Sequence, residues 1–158
     1  MNLKKFTIIS IALSTILIFS CNPQKKVAGY YSYDTECLGA ELDGSQTLKA
    51  WGTGSNLADA VEQAKKQALK DVLFKGITKG KSDCNQKPLV IEVNADEKYE
   101  DYWFKFFADG GLYTKFTSHE DGKYLKKLKA GEQVTYGVTI RLKRQELKKQ
   151  LLEDKILK

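Results

Sequence analysis

The sequence predicts an α+β domain: an antiparallel sheet of four or five strands with helices packed on one face. Three observations carry this. Val134 to Leu142 alternates strictly between apolar and polar or small residues, the pattern of a half-buried antiparallel strand. Leu57, Val61, Ala64, Ala68 and Val72 recur at steps of four, three, four and four, which sets one apolar stripe on a helix. Strand-like segments and turn signals flank both. The chain has 158 residues, 42% hydrophobic and 29% charged, which supports one ordinary domain and excludes disorder as a default.

Taken in order, Gln46 to Trp51 reads as a strand. Gly52-Thr53-Gly54-Ser55-Asn56 then makes a turn with two helix N-cap candidates. The first helix runs from Leu57 to about Lys75, with Gly76 at the expected C-terminal cap. Ala60, Ala64 and Ala68 leave little side chain between its backbone and its neighbours, so it is expected to lie close on the sheet.

Pro88 to Val93 is a short apolar run, after which Asn94 and Glu97 form a capping pair for a second helix. That helix carries Tyr99, Tyr102, Trp103 and Phe106 at i, i+3, i+4 and i+7, with Phe104 and Phe107 beside them, and stops at Gly110-Gly111. Leu112 to Ser118 is expected as a strand, Asp121-Gly122 as a hairpin turn, and Tyr124 to Leu128 as the next strand. A basic helix follows from about Arg144, with Leu147, Leu151 and Leu152 facing inward.

The N-terminus carries an address. Lys4 and Lys5 precede an apolar run from Phe6 to Phe19, whose roughly 21 Å of helix would be too short for a hydrocarbon core of about 30 Å. A secretory signal fits better than a permanent membrane span. The run ends at Ile18-Phe19-Ser20-Cys21, which resembles a bacterial lipobox and implies a mature chain beginning at an acylated Cys21. Three acyl chains on one cysteine would hold it in a bilayer permanently. The organisation expected is a signal peptide over 1–20, a lipidated tether over 21–35 and a single α+β domain over 36–158. Asn22 follows the cysteine where aspartate would resemble an inner-membrane retention signal, and no acidic cluster resembling a surface-export signal follows. The location expected is therefore the outer membrane, facing the periplasm.

Export would place Cys37 and Cys84 in an oxidising compartment, and a disulfide between them is expected. The alternatives are two free thiols, or a redox or metal pair; one histidine and no Cys-x-x-Cys spacing argue against the last. No metal site and no cofactor are expected.

Candidate chemistry is sparse. Gly52-x-Gly54 between strand and helix invites a phosphate-loop reading, but Leu57 stands where the dinucleotide fingerprint needs glycine and no Gly-Lys-Ser or Gly-Lys-Thr follows. A structural turn is favoured. His119 is the single histidine, beside Glu120 and Asp121, and reads as part of a surface turn. No nucleophile elbow or acid–base pair is recognisable, so no catalytic residue is assigned and the chain is read as noncatalytic. One helix cannot bury six aromatics on a single stripe, so either the domain wraps both sides of the second helix, which is the favoured reading, or some ring stands at the surface as a docking patch for another envelope protein or peptidoglycan. Tyr102, Trp103, Phe104, Phe107 and Tyr113 are the candidate partner-binding residues. The basic C-terminal segment could suggest nucleic acid, but export removes that partner and Glu146, Glu153 and Asp154 interrupt the run; a solvated helix face is expected.

The lipobox, Leu48-Lys49-Ala50-Trp51-Gly52 before the alanine-rich helix, and the strand Tyr136 to Leu142 together resemble the 20-kilodalton-lipoprotein group and the N-terminal domain of the flagellar assembly protein FlgT. The lipobox style is also similar to that of Bacteroidetes-type lipoproteins, among which small periplasmic members accompany a type VI-like secretion apparatus. The resemblance implies a small module without catalysis, anchored at the outer membrane and attached to a larger envelope assembly. The function expected is a lipid-anchored scaffold or adaptor with a membrane contact through its lipid and an envelope protein as partner. The alternative is a ligand-binding module for cell-wall or small-molecule material, for which a deep pocket lined by Tyr102, Trp103 and Tyr113 is expected.

Overall fold

A computed structural model describes residues 33–130 and 133–158, with the side chains of 120–130 outside that description. The expected signal peptide, Cys21 and most of the expected tether lie outside the described residues. The described residues belong to one compact unit.

The fold is α+β. Its five strands are β1 (Glu36–Ala40), β2 (Gln46–Gly54), β3 (Lys79–Gly80), β4 (Thr117–Ala130) and β5 (Gln133–Leu142), in the order β3-β1-β2-β5-β4. The pairs β1–β2, β2–β5 and β5–β4 are antiparallel, while the two-residue β3 lies parallel to β1. The sheet is thus mixed at one edge rather than wholly antiparallel. β1 and β3 are too short to show a period in the sequence.

The helices are α1 (Leu57–Lys70), continued by a π-helical turn over Asp71–Lys75, then α2 (Ala95–Lys98), α3 (Glu100–Phe106), α4 (Tyr113–Phe116) and α5 (Arg144–Glu153). Asn56 caps α1, its side-chain oxygen accepting the Asp59 N–H at 3.0 Å. Gly76 ends the π turn with φ of 81°, where its N–H meets the Asp71 carbonyl at 2.6 Å. The adjoining carbonyls of Val72 and Leu73 accept the N–H groups of Leu89 and Val90 at 3.0 and 2.8 Å. The apolar run after Pro88 therefore serves as a backbone cap for the π turn.

The expected stripe of α1 meets the sheet. Ala60, Ala64, Ala68 and Val72 are fully buried with Leu48 and Ala50 of β2 and Val138, Ile140 and Leu142 of β5. Phe106, Tyr113, Phe116, Leu147 and Leu151 extend the same core. Gly52 lets the helix come close: a Cβ there would lie 1.9 Å from the Ala60 carbonyl oxygen and 2.4 Å from the Ala64 nitrogen.

Several expectations are corrected. Tyr33 to Thr35 belong to the domain, not to a tether. Tyr33 stacks on Trp51 with ring centroids 4.4 Å apart, Asp34 bridges Lys75 and Lys79, and Thr35 donates to the buried Asp71. Leu112 to Ser118 is not a strand throughout, because Tyr113–Phe116 makes a helical turn before β4 begins at Thr117. Asp121-Gly122 is not a hairpin; β4 continues through it, with a register irregularity between His119 and Tyr124. The reversal joins Ala130 to Gln133, which are paired. Leu152 faces outward, 45% exposed, while Leu147 and Leu151 are fully buried.

Candidate functional site

The aromatic segment is broken in two. Asn94 takes a left-handed conformation, φ 58°, instead of the extended one a capping residue needs, and its side chain makes no cap bond. Tyr99, with φ of −114° and ψ of 35°, interrupts the helix between α2 and α3.

The expected binding residues then separate by role. Trp103 is buried, its indole N–H donating to the Ala95 carbonyl at 3.1 Å and its ring meeting Phe74 edge-on at 5.0 Å. Tyr102 donates its hydroxyl to Asp154 at 2.7 Å, which ties α3 to the end of α5. Burial, and then the Asp154 carboxylate, push that phenol well above its ordinary range. Tyr113 is buried and donates to Glu62 of α1 at 2.7 Å; burial and the Glu62 carboxylate raise it likewise. Desolvation alone would raise Glu62, but hydrogen bonds from Lys65 and Tyr113 outweigh it and hold the carboxyl below its usual value. Phe107 is half-buried beneath Lys70, whose ammonium stands 5.4 Å from the ring centroid. Phe104 is 79% exposed.

Phe104 stands on an open groove of about 510 Å³ walled by Phe74, Trp103, Phe107 and Ala108. Lys70, Asp96 and Glu100 complete its rim. Lys70 is engaged with Phe107, whereas Asp96 and Glu100 enter no ion pair among the described residues. The groove therefore offers an apolar floor, one projecting ring and two uncommitted carboxylates. Tyr102 and Tyr113 do not line it. Tyr102, Trp103 and Tyr113, expected to line one deep pocket of a small-molecule binder, instead spend their polar ends on Asp154, the Ala95 carbonyl and Glu62.

The remaining sequence candidates resolve as follows. Cys37 and Cys84 are joined in a disulfide with Cα atoms 6.1 Å apart. Asp83 completes a trio whose ligand atoms lie within 4.8 Å of one another, but the bond occupies both sulfurs, and both cysteines are buried. Gly52 and Gly54 lie within β2, whose pairing with β5 runs to Gly54, so the expected turn begins only at Ser55. Asp59 fills the N-terminus of α1, its carboxylate accepting from the Ser55 hydroxyl at 2.6 Å and the Ser55 N–H at 3.2 Å. His119 lies within β4 opposite Ile140, not at a hairpin tip, and lines a depression with Asn56, Asp59 and Glu62. Arg144, expected on a solvated face, is 5% exposed and donates to the Lys87 carbonyl at 2.6 Å.

Sequence reasoning missed Asp96 and Glu100 as rim groups, and Ile91 and Val93, each 83% exposed, as a second apolar surface. The run Pro88 to Val93 was visible, but not which of its side chains the π turn leaves outside. Comparison of the chain with protein-family models, curated proteins and solved structures finds no match.

Proposed function

We propose that the chain is a noncatalytic, lipid-anchored adaptor on the periplasmic side of the outer membrane, holding an envelope protein at the groove of α3. The single observation that carries the docking part is Phe104, a large ring left in water at the lip of an apolar groove while its neighbours are packed. A ring so placed costs the free protein apolar exposure that a partner's surface would remove. Asp96 and Glu100 favour a partner segment that combines an apolar anchor with a lysine or arginine. The anchoring part rests on the lipobox ending in Cys21, which would confine the domain to a shell beside the bilayer.

The test places a photo-crosslinking amino acid at position 104 in cells that express the full chain. The expected result is one recurrent protein adduct, lost when Glu100→Lys and Asp96→Lys are introduced together. No adduct from position 104, or an adduct indifferent to the charge reversals, would overturn the docking reading. Because position 104 is exposed, substitution there leaves the core intact.

A further inference from the structure

A second surface has a different chemistry. Arg144 opens α5 and is 5% exposed, yet its guanidinium is poorly provided for. Nη2 donates to the Lys87 carbonyl at 2.6 Å, and Nη1 is buried without a hydrogen-bond partner. Among the described residues no carboxylate pairs with it. A buried cation held by one neutral carbonyl bears most of its desolvation cost uncompensated. That burial also draws the guanidinium's pKa down.

Arg144 lines a small polar recess of about 200 Å³, in which Lys87 and Lys148 bring two more cations and Asn85 and Gln145 bring amides. No acidic residue lines it. Lys148 and Leu89 also line a neighbouring groove of about 450 Å³, so the two adjoin along these side chains. That groove is aliphatic, with Ile91 and Leu152 exposed along it and Leu157 half-buried. Its acidic side chain, Glu92, is already engaged by Lys98 and by the Tyr99 hydroxyl at 3.4 Å. A cationic recess beside an aliphatic trough matches an amphiphile with an anionic head and a hydrocarbon tail.

We infer that α5 and the segment after Pro88 form a binding site for an anionic lipid, with its phosphate at Arg144, Lys87 and Lys148 and an acyl chain along Leu89, Ile91 and Leu152. The head would supply the acceptor oxygens that the guanidinium lacks, by charge-assisted hydrogen bonds. The tail would cover the aliphatic side chains that the fold leaves in water. This inference depends neither on the groove of α3 nor on acylation at Cys21.

The experiment uses the full chain in a bulky neutral detergent, titrated with dodecyl phosphate, inorganic phosphate or dodecyltrimethylammonium. Native mass spectrometry and the unfolding midpoint are read for each probe. Dodecyl phosphate is expected to remain as a single adduct and to raise the midpoint, with phosphatidylglycerol behaving alike. Inorganic phosphate is expected to bind at least about tenfold more weakly, because it lacks the tail. The Lys148→Glu and Leu152→Asp variants, both at exposed positions, should each weaken dodecyl phosphate about tenfold. Arg144→Met should abolish the adduct; should that variant fail to fold, the two exposed variants decide. Equal retention of the cationic amphiphile would show grease alone and overturn the head site. Equal binding of inorganic phosphate would leave a free-anion site and overturn the lipid assignment, as would dodecyl phosphate binding unchanged in both exposed variants.

Discussion

At the scale of single residues, the positions that matter most are those where a small group or a short polar contact sets the distance between layers. Gly52 is the sharpest case, because any Cβ there falls inside the backbone of α1 and the helix must move to admit it. Gly52→Ala is expected to cost about 1–3 kcal/mol or more, read from the urea midpoint of the oxidised protein. Gly137→Ala should cost less, since its Cβ would meet the edge of the Trp51 ring at 3.1 Å, a side chain that can shift. Asp34 is the second case. Hydrogen bonds from Lys75 and Lys79, with the attraction of both ammonium groups, lower its pKa from 3.8 to about 2. A carboxyl depressed on folding contributes stability that is complete above its unfolded pKa and is lost as pH falls through the folded one. The advantage of the native protein over Asp34→Asn should therefore be full above about pH 4 and vanish toward pH 2. Trp51 fluorescence reports it directly, because Tyr33 next to Asp34 stacks on that indole. A native-minus-variant difference that stays constant across this range would mean that the ion pairs do not hold the segment.

Among the elements, the disulfide and the π turn do related work: each fastens a segment without its own period to a segment that has one. The bond ties β1 to the loop after β3 over a sequence separation of 47 residues, for which chain entropy gives about 4 kcal/mol. Cys37→Ser with Cys84→Ser should lower stability by about that amount, and the native protein should show no alkylatable thiol at these positions without reductant. Two free thiols in the isolated native protein would remove the contribution altogether. This pairing was legible in the sequence from the count of cysteines, α1 and β5 were legible from long, unambiguous periods, and β2 was legible as far as Trp51, three residues short of its end at Gly54. What was not legible has a common physical origin. β1 and β3 are five and two residues long and take their places from neighbours. Tyr113–Phe116 has the residues of a strand, but Phe116 stacks flat on Phe106 at 6.1 Å and Tyr113 reaches Glu62, contacts that a helical turn supplies. Asp121-Gly122 has the residues of a hairpin yet falls in the register irregularity of β4 between His119 and Tyr124, a bulge in the strand and not a reversal of the chain. For the candidate site, the sequence favoured a domain wrapped round both sides of the aromatic helix and left an exposed ring as the alternative, and Phe104, 79% exposed, is that ring. Trp103, Tyr102 and Tyr113 have polar ends that found partners, and Phe104 has none to place.

For the molecule as a whole, the proposed function requires anchoring and docking to make separable contributions, and it stands or falls on separating them. A groove of about 510 Å³ with one projecting ring is a modest interface, and association of two free proteins through it would be weak. Confinement beside a membrane raises the effective concentration of a partner held in the same layer, so a weak contact can be saturated there without any new interaction. Cys21→Ala is thus expected to release the protein from membranes and to reduce crosslinking from position 104 severely in cells. The same variant should crosslink to the purified partner as well as the native chain does in solution. Phe104→Asp should behave oppositely, staying in the membrane fraction while losing the adduct in both settings, since the fold does not use that ring. Fractionation and crosslinking of the two variants in parallel therefore distinguish the contributions. Should Cys21→Ala sediment with membranes as before and incorporate fatty acid, the anchor is elsewhere; should it be released while the cellular adduct persists undiminished, confinement is not what the groove depends on.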